Sequence, residues 1–265
     1  MNPNLFKRTL KKQLPGLAVY AASLFFFQLL MVVLYPGMKD SMAMMLEDMP
    51  SIFLSFMGGA DILYHTLTGF ITIGLTHPLV ILILAAYPLN LAGKAISGEL
   101  VKGTGELLFT RPIKRYRIIL THLVVALFGI FILSLGILLG LEAGFWAIDI
   151  TERIPFQDLL PVTINIAALM MATAGLGFFI SAAVPKAELT PALAAGAIAL
   201  MYVLDFLTDI WEGLEVINTF SLYNYYHPGE VIAGNGYWLS DTLLLLIAGL
   251  ILTGAAMVIL EKRDL

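Results

Sequence analysis

The chain contains no cysteine, which removes disulfides, thiolate nucleophiles and thiolate metal ligands and leaves the redox compartment unreadable. Charge is scarce. Asp, Glu, Lys and Arg make up 13% of 265 residues against 59% hydrophobic, where a soluble domain carries about 25% and about 45–50%. The four histidines are scattered and form no H-E-x-x-H or similar grouping, so an intramembrane metalloenzyme has no ligand set to work with. Gly98, Gly103 and Thr104 superficially match the glycines of a phosphate-binding loop. The required Lys-Ser/Thr is missing and an apolar run, not a strand, precedes them, so the chain is not expected to hydrolyse ATP. No convincing internal repeat and no midplane carboxylate stands out, which weighs against an ion-coupled carrier.

What remains is grease in long runs. Mean hydropathy is +0.89. A bilayer core about 30 Å thick needs roughly 20 apolar residues at 1.5 Å each. Spans are expected near 17–35, 70–92, 118–140, 161–184, 191–208 and 242–260, the fourth and fifth joined by a hairpin at Pro185-Lys186-Ala187-Glu188. The first run is too long for a cleavable signal, whose apolar core is about 7–15 residues, and is read as a retained span. The expectation is a single transmembrane domain over residues 1–265, all-α with six transmembrane helices.

Orientation follows the basic residues. With the N-terminus in the cytosol, Lys7, Arg8, Lys11 and Lys12 lie inside. So do Lys94, Lys102, Arg111, Lys114, Arg115 and Arg117 between spans two and three, Lys186 in the hairpin, and Lys262 and Arg263 after span six. Only Lys39 and Arg153 fall outside, so both termini are expected in the cytosol. Fourteen of the nineteen acidic residues fall on the outer side. Acidic residues contribute little to topology, and solvated loops account for them.

The most informative stretch runs from Ile96 to Arg117. At 100° per residue Ile96, Leu100, Val101, Leu107 and Leu108 share one sector, and Glu99, Lys102 and Glu106 the opposite one. Gly98, Gly103 and Gly105 weaken a continuous helix and Pro112 ends it. A short amphipathic helix over about 96–112, lying along the membrane face, is expected between spans two and three. Periodicity alone reads it as an interfacial helix anchored by anionic lipid.

Glu99, Gly103-Thr104, Glu106-Leu107-Leu108 and Pro112-Ile113 followed by Lys114-Arg115 resemble the signature of ABC type-2 exporter permeases. The end, Leu260-Glu261-Lys262-Arg263-Asp264-Leu265, resembles the basic-Asp-Leu ending common in that family. His122 departs from it where many relatives place Lys, a position assigned to the basic step before span three. The resemblance implies a membrane permease subunit of an ATP-driven exporter in the cell (inner) membrane. It implies a coupling helix in which Glu99, Lys102, Gly103, Thr104 and Glu106 face a separate ATPase, with Leu107 and Leu108 against the spans and Pro112 ending the helix. Two copies of that ATPase subunit would carry ATP and Mg, this chain binding no cofactor itself. A second permease, identical or homologous, would complete a path lined mainly by spans two and five. Lipid is the expected solvent and nucleic acid is no expected partner. The alternative from a different class is an ion-coupled transporter or channel.

Other residues invite sharper readings. Met38, Met42, Met45 and Met49 lie at helical spacing in an outer segment, about 36–61. Thioethers select Cu(I), which would make metal export a variant of the ABC reading; pliable packing against the membrane is the plainer account. His77 precedes Pro78, where a kink would free carbonyls for it to bond. Asp205 is expected to reach the outer interface near Asp209 and Glu212. The second outer segment, 209–238, carries Trp211, Tyr223, Tyr225, Tyr226, Tyr237 and Trp238, an aromatic belt too polar to span. The resemblance implies short re-entrant or outer helices there. Gly136 and Gly140 in span three and Gly175 and Gly177 in span four suit close helix contact, and the alanines of span five make it the best candidate for packing.

Overall fold

A backbone in lipid must satisfy its polar groups within its own segment, so long apolar runs become helices. The computed structural model describes residues 3–47, 66–96, 115–148, 153–208, 210–234 and 237–263. Among them there is no strand. Six helices are long and apolar enough to cross a membrane, and the chain is an all-α integral membrane protein. The crossing helices are α1 (Pro3–Glu47), α3 (Pro78–Ala95), α4 (Tyr116–Ala147), α5 (Phe156–Ala183), α6 (Thr190–Thr208) and α9 (Trp238–Lys262). Among the described residues there are three shorter α-helices: α2 (Leu67–Thr76) before α3, and α7 (Glu215–Asn218) and α8 (Pro228–Ile232) between α6 and α9.

Two elements depart from the sequence reading. The first helix does not stop at Tyr35. It runs through Pro15 and Pro36 to Glu47, 45 residues, about 68 Å at 1.5 Å per residue and more than twice a hydrocarbon core. Met38, Met42 and Met45 therefore sit in its last turns and not on a separate helix. The second departure is larger: the span expected as 70–92 is two helices. Thr66 caps α2, its Oγ1 accepting from Gly69 N at 3.1 Å. His77 then leaves the helical region at φ −55°, ψ 132°, the extended geometry forced on a residue before proline. Pro78 opens α3 at its first position, where a missing N–H costs nothing. His77 Nδ1 accepts from Leu79 N at 3.2 Å, so its ring caps the new helix instead of bonding freed carbonyls.

Close glycine contacts set the packing. Along α4, Gly136 faces Ala21, Gly140 faces Phe25 and Gly144 faces Val32 of α1. The numbers rise together, so α1 and α4 run parallel. At Gly140 an added Cβ would collide with the Phe25 carbonyl. Similarly α5 and α9 run parallel, from Asn165 beside Thr242, through Gly175 against Gly249, to Ala182 beside Arg263. The glycines of spans three and four thus serve contacts within the chain. Span five packs little within the chain: of α6, only Thr190, Ala194 and Ile198 are buried.

These pairings sort charge to the two ends of the bundle. The start of α1, the end of α3 at Lys94, Arg115 ahead of α4, the α5–α6 turn with Lys186, and Arg263 after α9 gather at one end, here termed the basic end. Asp158 early in α5, Asp205 late in α6 and Asp241 early in α9 lie toward the other.

Candidate functional site

The weak packing of α6 leaves a cavity of about 990 Å³ between it and α3. One wall is Ile81, Leu82, Ala85 and Leu89 of α3; the facing wall is Pro191, Ala194, Ala195 and Ile198 of α6. Small side chains on α6 create the room, because alanine fills less of the space between two helices than leucine would. Gly177 of α5 closes part of the back, close against Leu89 and Ala92. Polar groups are confined to the ends: Asn90, Lys94 and Glu188 toward the basic end, Tyr202 and Tyr223 at the other. Such a space suits an apolar solute of drug size, since ligand pockets of roughly 300–1,000 Å³ are lined mainly by apolar side chains with a few polar groups.

The end nearer Tyr202 is closed by the segment between α6 and α9. The break at His77 leaves the last carbonyls of α2 without intrahelical partners. Tyr226 Oη donates to Leu75 O at 3.2 Å, and Tyr202 Oη donates to Thr76 O at a long 3.5 Å. Tyr223 packs edge-on against Tyr202, ring centres 5.3 Å apart. Ser221 Oγ donates to Met201 O at 2.9 Å, and Asn165 Nδ2 donates to Tyr225 O at 3.2 Å. Asn218 Nδ2 donates to Asp205 Oδ1 at 3.0 Å and to Asn224 Oδ1 at 2.9 Å. Asp205 therefore has a structural partner inside this segment. Burial raises the Tyr226 hydroxyl well above its ordinary 10.0, with smaller pushes from Tyr223 and Tyr202. Tyr223 is raised the same way, by burial first and then by Tyr202 and Asp205. Both stay protonated donors through the physiological range.

The aromatic belt is thus two populations. Trp211 and Tyr237 are exposed, as membrane-interface anchors would be, while Tyr223 and Tyr226 turn inward, Tyr226 onto the broken helix and Tyr223 against Tyr202. Composition could not separate them, because both kinds of position want an amphipathic ring. His122 is also displaced from its expected place. It lies buried one turn and more inside α4, with Nδ1 bonded to Ile118 O at 2.9 Å, and is no part of a basic step.

Glu99, Lys102, Gly103, Thr104, Glu106, Leu107, Leu108 and Pro112, expected to couple to an ATPase, lie outside the described residues, as does Met49. Met38 is exposed on α1. Among the described residues no three His, Asp or Glu side chains group as a metal site. The cavity, the helix break and its tyrosine caps were not located from sequence, although a proline after histidine inside an apolar run marked where to look.

A family model described as "Multidrug efflux system permease Rv1217c, C-terminal domain" matches residues 9–259. No curated protein matches the chain.

Proposed function

Because the chain belongs to the family of the C-terminal domain of the multidrug efflux permease Rv1217c, we propose that it is the permease subunit of an ATP-driven ABC exporter of the type-2 class. Its cargo is an apolar compound of drug size. The observation that carries this reading is the cavity between α3 and α6, apolar along its walls and polar only at its ends. The basic end faces the cytosol, in keeping with the Lys and Arg bias, and both termini lie on the cytosolic side of the cell membrane. The segment 97–114 follows α3, one wall of the cavity, and leads directly into α4. A partner ATPase gripping Glu99, Lys102 and Glu106 would therefore move that wall. Two ATPase subunits supply ATP and Mg, and a second permease covers the exposed face of α6 and closes the path.

The ion-coupled alternative gains one observation, the discontinuous span at His77. Half-helices in such carriers meet near the midplane. Here α3 alone is 18 residues, about 27 Å, so the break falls near one face of a roughly 30 Å core. Copper export would rest on methionine spacing alone, and we read those methionines as packing.

The test is reconstitution in vesicles with the partner ATPase and a fluorescent hydrophobic dye. Transport should require ATP, and a proton gradient without ATP should not replace it. Charge reversal by Glu99→Lys with Glu106→Lys should reduce ATP-driven transport at least tenfold. Intact coupled transport in that double variant removes the coupling assignment; uptake driven by the proton gradient alone favours the ion-coupled carrier.

A further inference from the structure

At the basic end two arginines do something that a charge count cannot show. The last carbonyls of any helix lack intrahelical partners and carry the negative end of the helix dipole. Helix α5 ends at Ala183, and the side chain of Arg263 reaches it from beyond the end of α9. Its Nη1 donates to Ala182 O at 3.1 Å; its Nη2 donates to Val184 O at 3.0 Å and Pro185 O at 2.9 Å. Three carbonyls at the start of the α5–α6 turn are thus held by one planar fork. The end of α9 is held in turn. Arg115, the residue ahead of α4, donates through Nη1 to Leu260 O at 3.4 Å and, more closely, to the carbonyl of Arg263 itself. The order of attachment is therefore α4, then the end of α9, then the end of α5, then the turn Lys186–Leu189, then α6.

We infer that Arg115 and Arg263 form a guanidinium clasp that positions the α5–α6 turn, and through it the α6 wall of the cavity, relative to the entry of α4. The clasp ties the wall that packs least to the helix entry that follows segment 97–114. Its function rests on the efflux reading of the cavity; its existence as a positioning device does not. Arginine is needed because a lysine ammonium keeps the charge but lacks the fork that reaches three carbonyls from one side chain.

The absence of cysteine makes the test direct. Spin labels are placed at Lys186→Cys and Glu261→Cys, both exposed and flanking the Arg263–Pro185 contact, in the full chain in lipid. The unaltered clasp should give strong dipolar broadening with a narrow distance distribution. Arg263→Gln should weaken and spread it, and Arg263→Lys should restore it in part. A distribution unchanged in folded Arg263→Gln overturns the clasp. If Arg263→Gln fails to fold, Arg115→Gln decides the matter with the labels moved to Arg117→Cys and Lys262→Cys, which flank the contact of Arg115 with the end of α9: that distribution should broaden, and one left unchanged overturns the clasp. Dye transport with the partner ATPase should fall several-fold in maximal rate in both Gln variants. An unaltered chain that moves no dye defeats the efflux reading instead, and the spin-label result still stands or falls by itself.

Discussion

At the residue scale the clearest contribution comes from Tyr226. Its ring is buried and its hydroxyl satisfies Leu75 O at the end of α2. Tyr226→Phe leaves that carbonyl unpartnered and should cost about 1–3 kcal/mol, read as a lower melting temperature of the chain in detergent. The sign of the pH effect is fixed by the raised hydroxyls of Tyr226 and Tyr223. A folded-state value above the ordinary 10.0 favours the protonated form in the folded state. The stabilisation is complete below about pH 10 and is lost as pH rises beyond it. Melting should therefore be insensitive to these tyrosines between about pH 6 and 9 and fall above about 10, with a weaker fall in Tyr226→Phe. A sequence can nominate Tyr226 as important but not say which way it points. Tyr225 and Tyr226 are neighbours with different fates, and only the path of the chain between α6 and α9 separates them.

Between elements, small residues decide which helices touch. In α9, Gly249 and Gly254 look alike in sequence. A Cβ on Gly249 would lie 2.8 Å from Met171 O of α5, whereas one on Gly254 meets nothing within 4 Å. Gly249→Ala should destabilise by about 1–3 kcal/mol through overpacking. Gly254→Ala should be neutral or stabilising by up to about 1 kcal/mol, because glycine is the poorer helix former. Thermal melts of the two variants side by side check the α5–α9 pairing. The existence of six spans was readable because lipid demands about 20 apolar residues per crossing, and nothing else in the chain meets that length. The break within the second was not. An apolar run holding His77-Pro78 fits one kinked helix as well as two helices, and the choice is made by the tyrosines that receive the freed carbonyls. The full length of the first helix was not readable either, because the apolar run ends at Tyr35 while the helix continues through Pro36 to Glu47.

For the whole molecule, the central feature is the asymmetry between a well-packed body, α1 with α4 and α5 with α9, and the poorly covered α6. That asymmetry opens the cavity against α3 and leaves one face of α6 exposed. The resemblance implies a path between two permeases lined by spans two and five; the cavity of about 990 Å³ lies within the chain, between α3 and α6. Its dimensions could not be read, because small and large apolar residues have the same meaning to a hydropathy pattern and opposite meanings to a packed wall. The most direct measurement is ATP-driven dye efflux from vesicles carrying the partner ATPase and either Ala195→Trp, which puts a bulky ring on the cavity lining, or Leu139→Trp, on an exposed face of α4 away from the cavity. The account predicts at least a several-fold loss for Ala195→Trp and near-normal efflux for Leu139→Trp. Equal efflux in the two variants would contradict it.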